Sequence, residues 1–510
     1  MQPTVRRSAW PSRLLRCLST VSGVPTTAFG SGHLLSRPPH LFSLLQSCSC
    51  LDAFNQVLAQ VFTYGLSGDP FTLARALSSL CSLSPSSDLR YARLLFEHTE
   101  TPNAFSWNTI IRAYSVHPLH HQECFFLFIR MLLSGVYPDK YTFPFVLRAC
   151  SAAAFSAQAS DEGGSEWLSA ARRLFDEMPE RSTVTWNAMT SCHVKCKCEV
   201  QGLVLFNKML VSRVEPNEAT LVNVLMACAA TGARRYGKCL HAYVQRKYMW
   251  MANVDLGTSL IHMYMKCGDI CSALLVFRSM VVKDVPAWTA AIGGLALQGR
   301  GSEAIAVFDR MVYSDVKPDA VTFTSLLHAC SHSGLVGEGL RFFNLMVDVY
   351  GIKPGIQHYC CIVDLLGRSG LLLEALKVIR SMPYEPNAAI WYTILSSCAI
   401  HGDFELAERI AYQVQTGREV TDGAYYVLLS NMYAKLGNWK QVTKMRDMMV
   451  DSKANKVAGY SMIEVNGSVN TFLVGDDTHE LTLEIYSLLH GISQELKLAG
   501  HVSFAVVVNH

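Results

Sequence analysis

Aspartate and glutamate are missing from the first 51 residues of this 510-residue chain, where Arg6, Arg7, Arg13, Arg16 and Arg37 stand among serines and threonines. That is the composition of an organelle transit peptide, and residues 1–37 are read as one. The stretch RRSAWPSRLLRCL can form a basic amphipathic turn or two, which favours the mitochondrion over the chloroplast. Without those five arginines, 39 basic residues face 41 acidic ones, and the formal charge of +3 becomes −2. A body so near neutrality cannot hold a polyanion by bulk charge, so any nucleic-acid binding has to come from local contacts.

Long uncharged apolar runs are lacking as well. Half of the residues are hydrophobic, yet no stretch reaches the roughly 20 apolar residues that cross a bilayer, and no membrane partner is expected. The 17 cysteines include no CxxC pair. His193, Cys196 and Cys198 in CHVKCKC have no second ligand pair at metal-binding spacing, so no metal site is expected there.

What the chain has in quantity is self-similarity. Residues 285–319 read as two helices and a turn: Trp288, Ile292 and Leu295 form one apolar stripe, Gly299 and Gly301 break it, and Ala304, Val307, Phe308 and Met311 form a second. Trp186 to Trp288 spans 102 residues and Trp288 to Trp391 spans 103, while Cys48 to Cys150 and Cys228 to Cys330 each span 102. One such interval resolves into hairpins of 36 (218–253), 31 (254–284) and 35 residues (285–319). A lone hairpin of this length cannot bury both stripes, so the fold class is all-α, a solenoid of stacked helix-turn-helix units. Cys150, Cys228, Cys330 and Cys398 each stand eleventh in their hairpins and are expected as small buried side chains, not as a disulfide ladder.

In chain order, hairpins are expected at 38–69, 70–103 and 104–139. From 140 the phase fails, because Cys150 to Cys228 is 78 residues, 24 short of a triplet. KYTFPFVLRAC has the look of a first helix and WLSAARRLFDEMPERS that of a second, so residues 140–182 are read as two fused hairpins. A poorly ordered polar insertion and a local defect in the stack are expected around SAAAFSAQASDEGGSEW. Regular phase resumes over 183–387.

WNAMT followed by VEPN, WTAAI followed by VKPD, LFDEMPERSTVTWN and IHMYMKCGDICSALLVF resemble the pentatricopeptide repeat family of plants, in its subclass of alternating P-, L- and S-type repeats. By that resemblance residues 38–139 are L, S and P repeats, and 183–387 are P, L, S, P, L and S repeats. Residues 388–455 are similar to the E extension and 456–495 to the E+ segment, before a tail, 496–510. The resemblance implies a right-handed superhelical solenoid. It also implies a site-recognition factor for cytidine-to-uridine editing of organelle transcripts, with a deaminase and other editing factors as partners in trans. An RNA-binding factor for splicing, stability or translation, and a helical-repeat scaffold for a protein segment, stay open as alternatives.

In this family the fifth and last residues of a repeat meet the edge of one splayed base. Carried over, the base-reading pairs are Asn108 with Asp139, Asn187 with Asn217, Thr258 with Asp284, and Thr289 with Asp319. They imply uridine, a pyrimidine with cytidine preferred, guanosine and guanosine. Phe105, Val184 and Pro286 hold the second position, where an apolar side chain leans on the base, and Asp255 departs from that pattern. Asn or Asp at a hairpin end is equally an ordinary helix cap. The family's alignment sets the two guanosines at −7 and −6 from the edited cytidine, with a free base at −8 and the pyrimidine at −9.

Cytidine deamination needs a zinc-bound water held by HxE and PCxxC residues. The two HxE words, His98-Thr99-Glu100 and His121-Gln122-Glu123, fall in the early repeats, and the chain ends in HVSFAVVVNH where the family's Asp-Tyr-Trp deaminase would begin. No enzyme activity, catalytic residue or cofactor is expected.

Overall fold

Hairpins begin where an Asn, Asp or Ser side chain can hold the first free N–H groups of a helix. Asn103, Ser182, Asn253, Asp284, Asp319 and Asn387 each accept a hydrogen bond from the backbone three residues on. The computed structural model describes residues 39–499, except 67–68, 84–88, 98, 100, 118–119, 159–163, 179, 248–252, 418–422, 453–458, 466–467, 474 and 476–477. The leader 1–37, the end of the tail from residue 500, His98, Glu100 and the centre of the polar insertion, 159–163, lie outside the described residues.

The chain divides into two bodies, Met1–Ala227 and Cys228–His510. The first holds α1 (Pro39–Ser47), α2 (Leu51–Thr63), α3 (Pro70–Leu83), α4 (Arg90–Glu97), α5 (Ala104–Val116), α6 (His121–Leu133), α7 (Thr142–Gln158), α8 (Gly164–Glu177), α9 (Thr183–Lys195), α10 (Glu199–Val211) and the start of α11 (Glu218–Thr231). The second continues with α12 (Arg234–Lys247), α13 (Val254–Lys266), α14 (Ile270–Ser279), α15 (Val285–Leu297), α16 (Gly301–Tyr313), α17 (Ala320–His332), α18 (Val336–Asp348), α19 (Ile356–Arg368) and α20 (Leu372–Ser381). After α21 (Ala388–His401), α22 (Phe404–Gly417), α23 (Gly423–Lys435) and α24 (Trp439–Asp451) come β1 (Tyr460–Val465), β2 (Ser468–Leu473) and α25 (Thr482–Leu498).

Within each body the first helices of successive hairpins pack on one another. In the first body α5 packs on α3 and α7, and α7 on α9; in the second the series runs α13, α15, α17, α19, α21. This is the expected all-α repeat stack. The repeat has a physical basis in the core, where the fourth residue of the hairpins that begin at 104, 183 and 285 meets a phenylalanine of the preceding second helix. Phe96 and Trp107, Phe175 and Trp186, and Phe277 and Trp288 form edge-on pairs with centroids 4.6, 4.9 and 4.8 Å apart. Each is worth about 0.5–1.5 kcal/mol beyond the area it buries.

Residues 140–182 form one hairpin, α7 with α8. α7 has 17 residues where α5 and α9 have 13, and the first-helix series runs through it without interruption. Trp167 of α8 stands edge-on to Phe125 of α6 at 5.8 Å, and Phe143 meets Phe128 at 6.2 Å, so aromatic contacts tie this longer hairpin to its neighbour.

Cys150, Cys228, Cys330 and Cys398 are buried and free. Burial pushes the thiols of Cys150, Cys330 and Cys398 up to about 12 and raises that of Cys228 well above its ordinary value, as expected of small apolar core side chains. His193 is buried with its Nδ1 2.9 Å from the carbonyl of Met189, a bond within its own helix. Residues 460–473 add a feature outside the helical pattern: β1 and β2 pair antiparallel from Tyr460 opposite Leu473 to Val465 opposite Ser468. No described helix is long and apolar enough to cross a membrane.

Candidate functional site

The last residue of one hairpin and the fifth residue of the same hairpin lie side by side, because the cap of the next first helix projects towards the helix it packs on. Asn108 donates through Nδ2 to both carboxylate oxygens of Asp139, at 3.0 and 3.1 Å. Its Oδ1 accepts from the hydroxyl of Thr142 at 2.6 Å. The Thr142 oxygen in turn accepts from the Asp139 backbone N–H at 3.0 Å, and the Thr142 N–H donates to the Asp139 carboxylate at 3.0 Å.

The same unit recurs one hairpin series later. Asn187 donates through Nδ2 to Asn217 Oδ1 at 2.9 Å and accepts from the Thr220 hydroxyl at 2.6 Å. Asn217 and Thr220 close the reciprocal cap at 3.1 and 3.0 Å. In the second body the hydroxyls of Thr289 and Thr322 are 2.8 Å apart, and Thr322 forms a capping box with Asp319. So Thr142, Thr220 and Thr322, third in their hairpins, join each fifth residue to its last. They were not singled out from the sequence, although they stand in the same phase as the residues that were.

Thr258 and Asp284 are not joined in this way. Asp284 accepts from the backbone N–H of Ala287 at 2.9 Å, and Ala287 occupies the third position, so no hydroxyl is present to make the link. Thr258 Oγ1 is buried without a hydrogen-bond partner among the described residues.

Beside each pair the second residue points outward. Phe105 is 51% exposed and Val184 57%, and Pro286 is exposed too, an unusual state for side chains that sit one turn from a packed core. Tyr141 (60%), Val321 (60%) and Phe71 (62%) hold equivalent places in their own hairpins, so exposed apolar second positions are not confined to Phe105, Val184 and Pro286. Asp255, second in its hairpin, is exposed as well, a charged residue where the others are apolar.

Around Thr289 and Asp319 these elements enclose a groove of about 530 Å³, with Pro286 and Val321 among its walls. That volume is within the range of small-ligand sites. His262, Lys266 and His328 line it as well. Burial, then Lys266, holds His262 below the ordinary imidazole range, and burial, then His332, does the same to His328. His328 and His332 approach to 2.9 Å between their Nε2 atoms. The groove therefore offers a hydroxyl and a carboxylate at one level, apolar walls beside them, and one ammonium group.

His121 and Glu123 belong to the N-terminal part of α6, and Glu123 lies 3.4 Å from Arg93 in an ion pair. Among the described residues no group of three or more His, Cys, Asp or Glu side chains is placed to hold a metal ion.

Family models match this chain as PPR repeats at 184–214, 258–285, 321–349 and 358–385, as the PPR repeat family at 283–332, and as an E motif at 401–464. A pentatricopeptide repeat-containing protein of Arabidopsis thaliana described as chloroplastic/mitochondrial is 36% identical over 501 residues, covering 91% of this chain and 78% of the relative. A second from the same plant, described as mitochondrial, is 33% identical and covers 95% of this chain and 78% of its own length. The crystal structure of the pentatricopeptide repeat protein PPR10 in complex with an 18-nt psaJ RNA element aligns with 87% of this chain and 73% of that one, at 16% identity and a TM-score of 0.49. With a third or more of its residues shared along nearly its whole length with such relatives, the chain belongs to the pentatricopeptide repeat family and carries that family's E motif.

Proposed function

We propose that this chain is a sequence-specific single-stranded RNA-binding protein of a plant organelle, which selects a site for cytidine-to-uridine editing and leaves the chemistry to a deaminase acting in trans. The observation that carries the reading is the recurrence of one bonded unit, fifth residue to last residue, beside an exposed apolar second residue. A base stacked on that apolar side chain would present its edge to the polar pair.

The chemistry of each unit suits a base. In both asparagine units the side-chain oxygen is engaged by a threonine hydroxyl, and at Asn187 one N–H is taken by Asn217, which leaves the second N–H for an acceptor such as a pyrimidine carbonyl. At Thr289 a shorter side chain leaves a groove large enough for a purine, and the Asp319 carboxylate can accept from the N–H groups of guanosine.

Organelle residence is supported by relatives described as chloroplastic or mitochondrial, and the acid-free leader favours the mitochondrion. The E motif at 401–464 favours editing over the splicing, stability or translation reading, by resemblance to editing factors. Recruitment of the deaminase is assigned to residues 388–495. Leu483, Leu488, Leu489 and Ile492 of α25 are exposed there, apolar surface of the kind a protein partner covers.

The test is selection from a randomised single-stranded RNA pool by residues 38–510 at near-physiological salt, since low salt rewards non-specific contacts. A pyrimidine, one unconstrained base and then two guanosines is the expected motif. A folded protein that enriches no motif would refute base reading and favour the scaffold alternative.

A further inference from the structure

The turn between α11 and α12 faces the C-terminal β-hairpin across a cavity of about 520 Å³. Arg234, Arg235, Lys238 and Lys266 line it from the repeat side, and Glu464 of β1 from the other. The Glu464 carboxylate accepts from the backbone N–H of Arg235, in the first turn of α12, at 2.7 Å. Lys238 is committed to Asp269 at 2.9 Å, whereas the charged ends of Arg234, Arg235 and Lys266 have no ion-pair partner among the described residues. Four cations thus stand around a helix N-terminus, and one carboxylate occupies the Arg235 N–H there. A helix N-terminus with adjacent basic side chains favours an anion.

Lys266 connects this cavity to the groove of Thr289 and Asp319, because it lines both. An RNA strand whose base sat in that groove would carry its backbone towards Lys266. We propose that the cavity is a phosphate site for the RNA backbone, and that Glu464 occupies it in the free protein, so that the hairpin and RNA compete for the same N–H groups and cations. The inference rests on the RNA-binding reading above. It adds a consequence: RNA binding displaces the hairpin from α12 and alters the exposure of the E+ segment that follows the E motif.

The experiment is a double-mutant cycle on the full chain, measuring affinity for the selected single-stranded RNA. Glu464→Gln keeps the shape of the side chain and removes its charge. An intramolecular competitor lowers apparent affinity by the fraction of sites it occupies, and for one charge-assisted hydrogen bond at an exposed site the expected gain is about two- to five-fold. Arg234→Ala with Arg235→Ala should weaken binding and make its salt dependence shallower, by about 0.7 in log–log slope for each phosphate deprived of its cation. In that background Glu464→Gln should give no further gain. Unchanged affinity in Glu464→Gln, or an equal gain in both backgrounds, overturns the proposal. If inorganic phosphate, compared with chloride at equal ionic strength, abolished the gain, the site would belong to a free phosphate ligand and the backbone assignment would be wrong. Failure of the wild-type chain to bind RNA at all would instead refute the underlying reading, so the two failures are distinguishable.

Discussion

Thr220 donates its hydroxyl to the side-chain oxygen of Asn187 at 2.6 Å, across the boundary between one repeat and the next. The bond decides which end of the amide is free: with the oxygen engaged, Nδ2 is the group turned to Asn217 and to whatever lies in front of the pair. The threonine that caps one helix therefore orients the residue that would read a base on the preceding helix.

Thr220→Val keeps the volume and removes the hydroxyl. It should leave Asn187 free to rotate, and discrimination between a pyrimidine and a purine at the matching position should fall by about three- to ten-fold, the worth of one ordinary hydrogen bond. Competition binding with RNAs differing at that base checks this. An equal loss of affinity for every RNA would mean that Thr220 supports the helix start alone. Thr142→Val at the equivalent position should also lower stability by about 1–2 kcal/mol, because Asn108 is only 7% exposed and its oxygen would be stranded.

The two pairs proposed to read guanosine, Thr258 with Asp284 and Thr289 with Asp319, should respond differently to the same substitution. Thr289→Asn, with Asp319 kept, rebuilds the unit of Asn108, Asp139 and Thr142, since Thr322 already supplies the hydroxyl. Preference at that base should move from guanosine towards uridine. Thr258→Asn has Ala287 where the hydroxyl is needed and should switch only together with Ala287→Thr. Base-by-base affinity for the three variants is the measurement, and a full switch by Thr258→Asn alone would refute the role given to the third residue.

Much of this is legible in the sequence because repetition makes phase countable. Trp186 and Trp288 mark the 102-residue period, and each, like Trp107, meets a phenylalanine in the core. Asp139 and Asn217 can be placed by counting alone. What counting does not supply is the hydrogen bond between repeats: Thr142 and Thr220 read as plain capping residues until the helix carrying the fifth residue is packed beside them. The pairing of β1 with β2 has no place in the helical repeat, although Tyr460 to Leu473 surrounds the dipeptide Asn466-Gly467, a strong turn signal in the sequence. The bond between Glu464 and Arg235, 229 residues apart, has no local signature.

Backbone strain offers a stability test away from the candidate site. Lys197 has φ 56°, and it stands fifteenth in its hairpin, where Gly299 and Gly334 both have φ 66°. A side chain in the left-handed region costs roughly 1–2 kcal/mol relative to glycine. Lys197→Gly is therefore expected to stabilise the first body by about 1 kcal/mol, after the larger unfolded-state entropy of glycine is deducted. Because repeat arrays unfold locally, the apt measurement is hydrogen exchange of α9 and α10, which should slow. Faster exchange there would show that the lysine makes contacts that outweigh its strain.

Acid should weaken the fold through its histidines. Burial lowers the pKa of His121, His193, His241, His262 and His328 below the ordinary 6.5. Below pH 6.5 the unfolded chain binds more protons at these sites than the folded chain does, so folding stability falls as pH drops from 6.5 to each folded pKa and levels off beneath it. Well above that pH both states are neutral there and these residues add no pH dependence. RNA would reverse the sign at the groove: a phosphate near His328, which faces His332, Asp364, Arg368 and Lys266, favours the imidazolium, so binding takes up protons and tightens as pH falls. Thermal midpoints and RNA affinities between about pH 7.5 and about pH 5.5 should therefore move in opposite directions. His328→Gln should flatten the affinity profile while leaving most of the stability profile intact. An affinity profile unaltered in that variant would remove His328 from any contact with the strand.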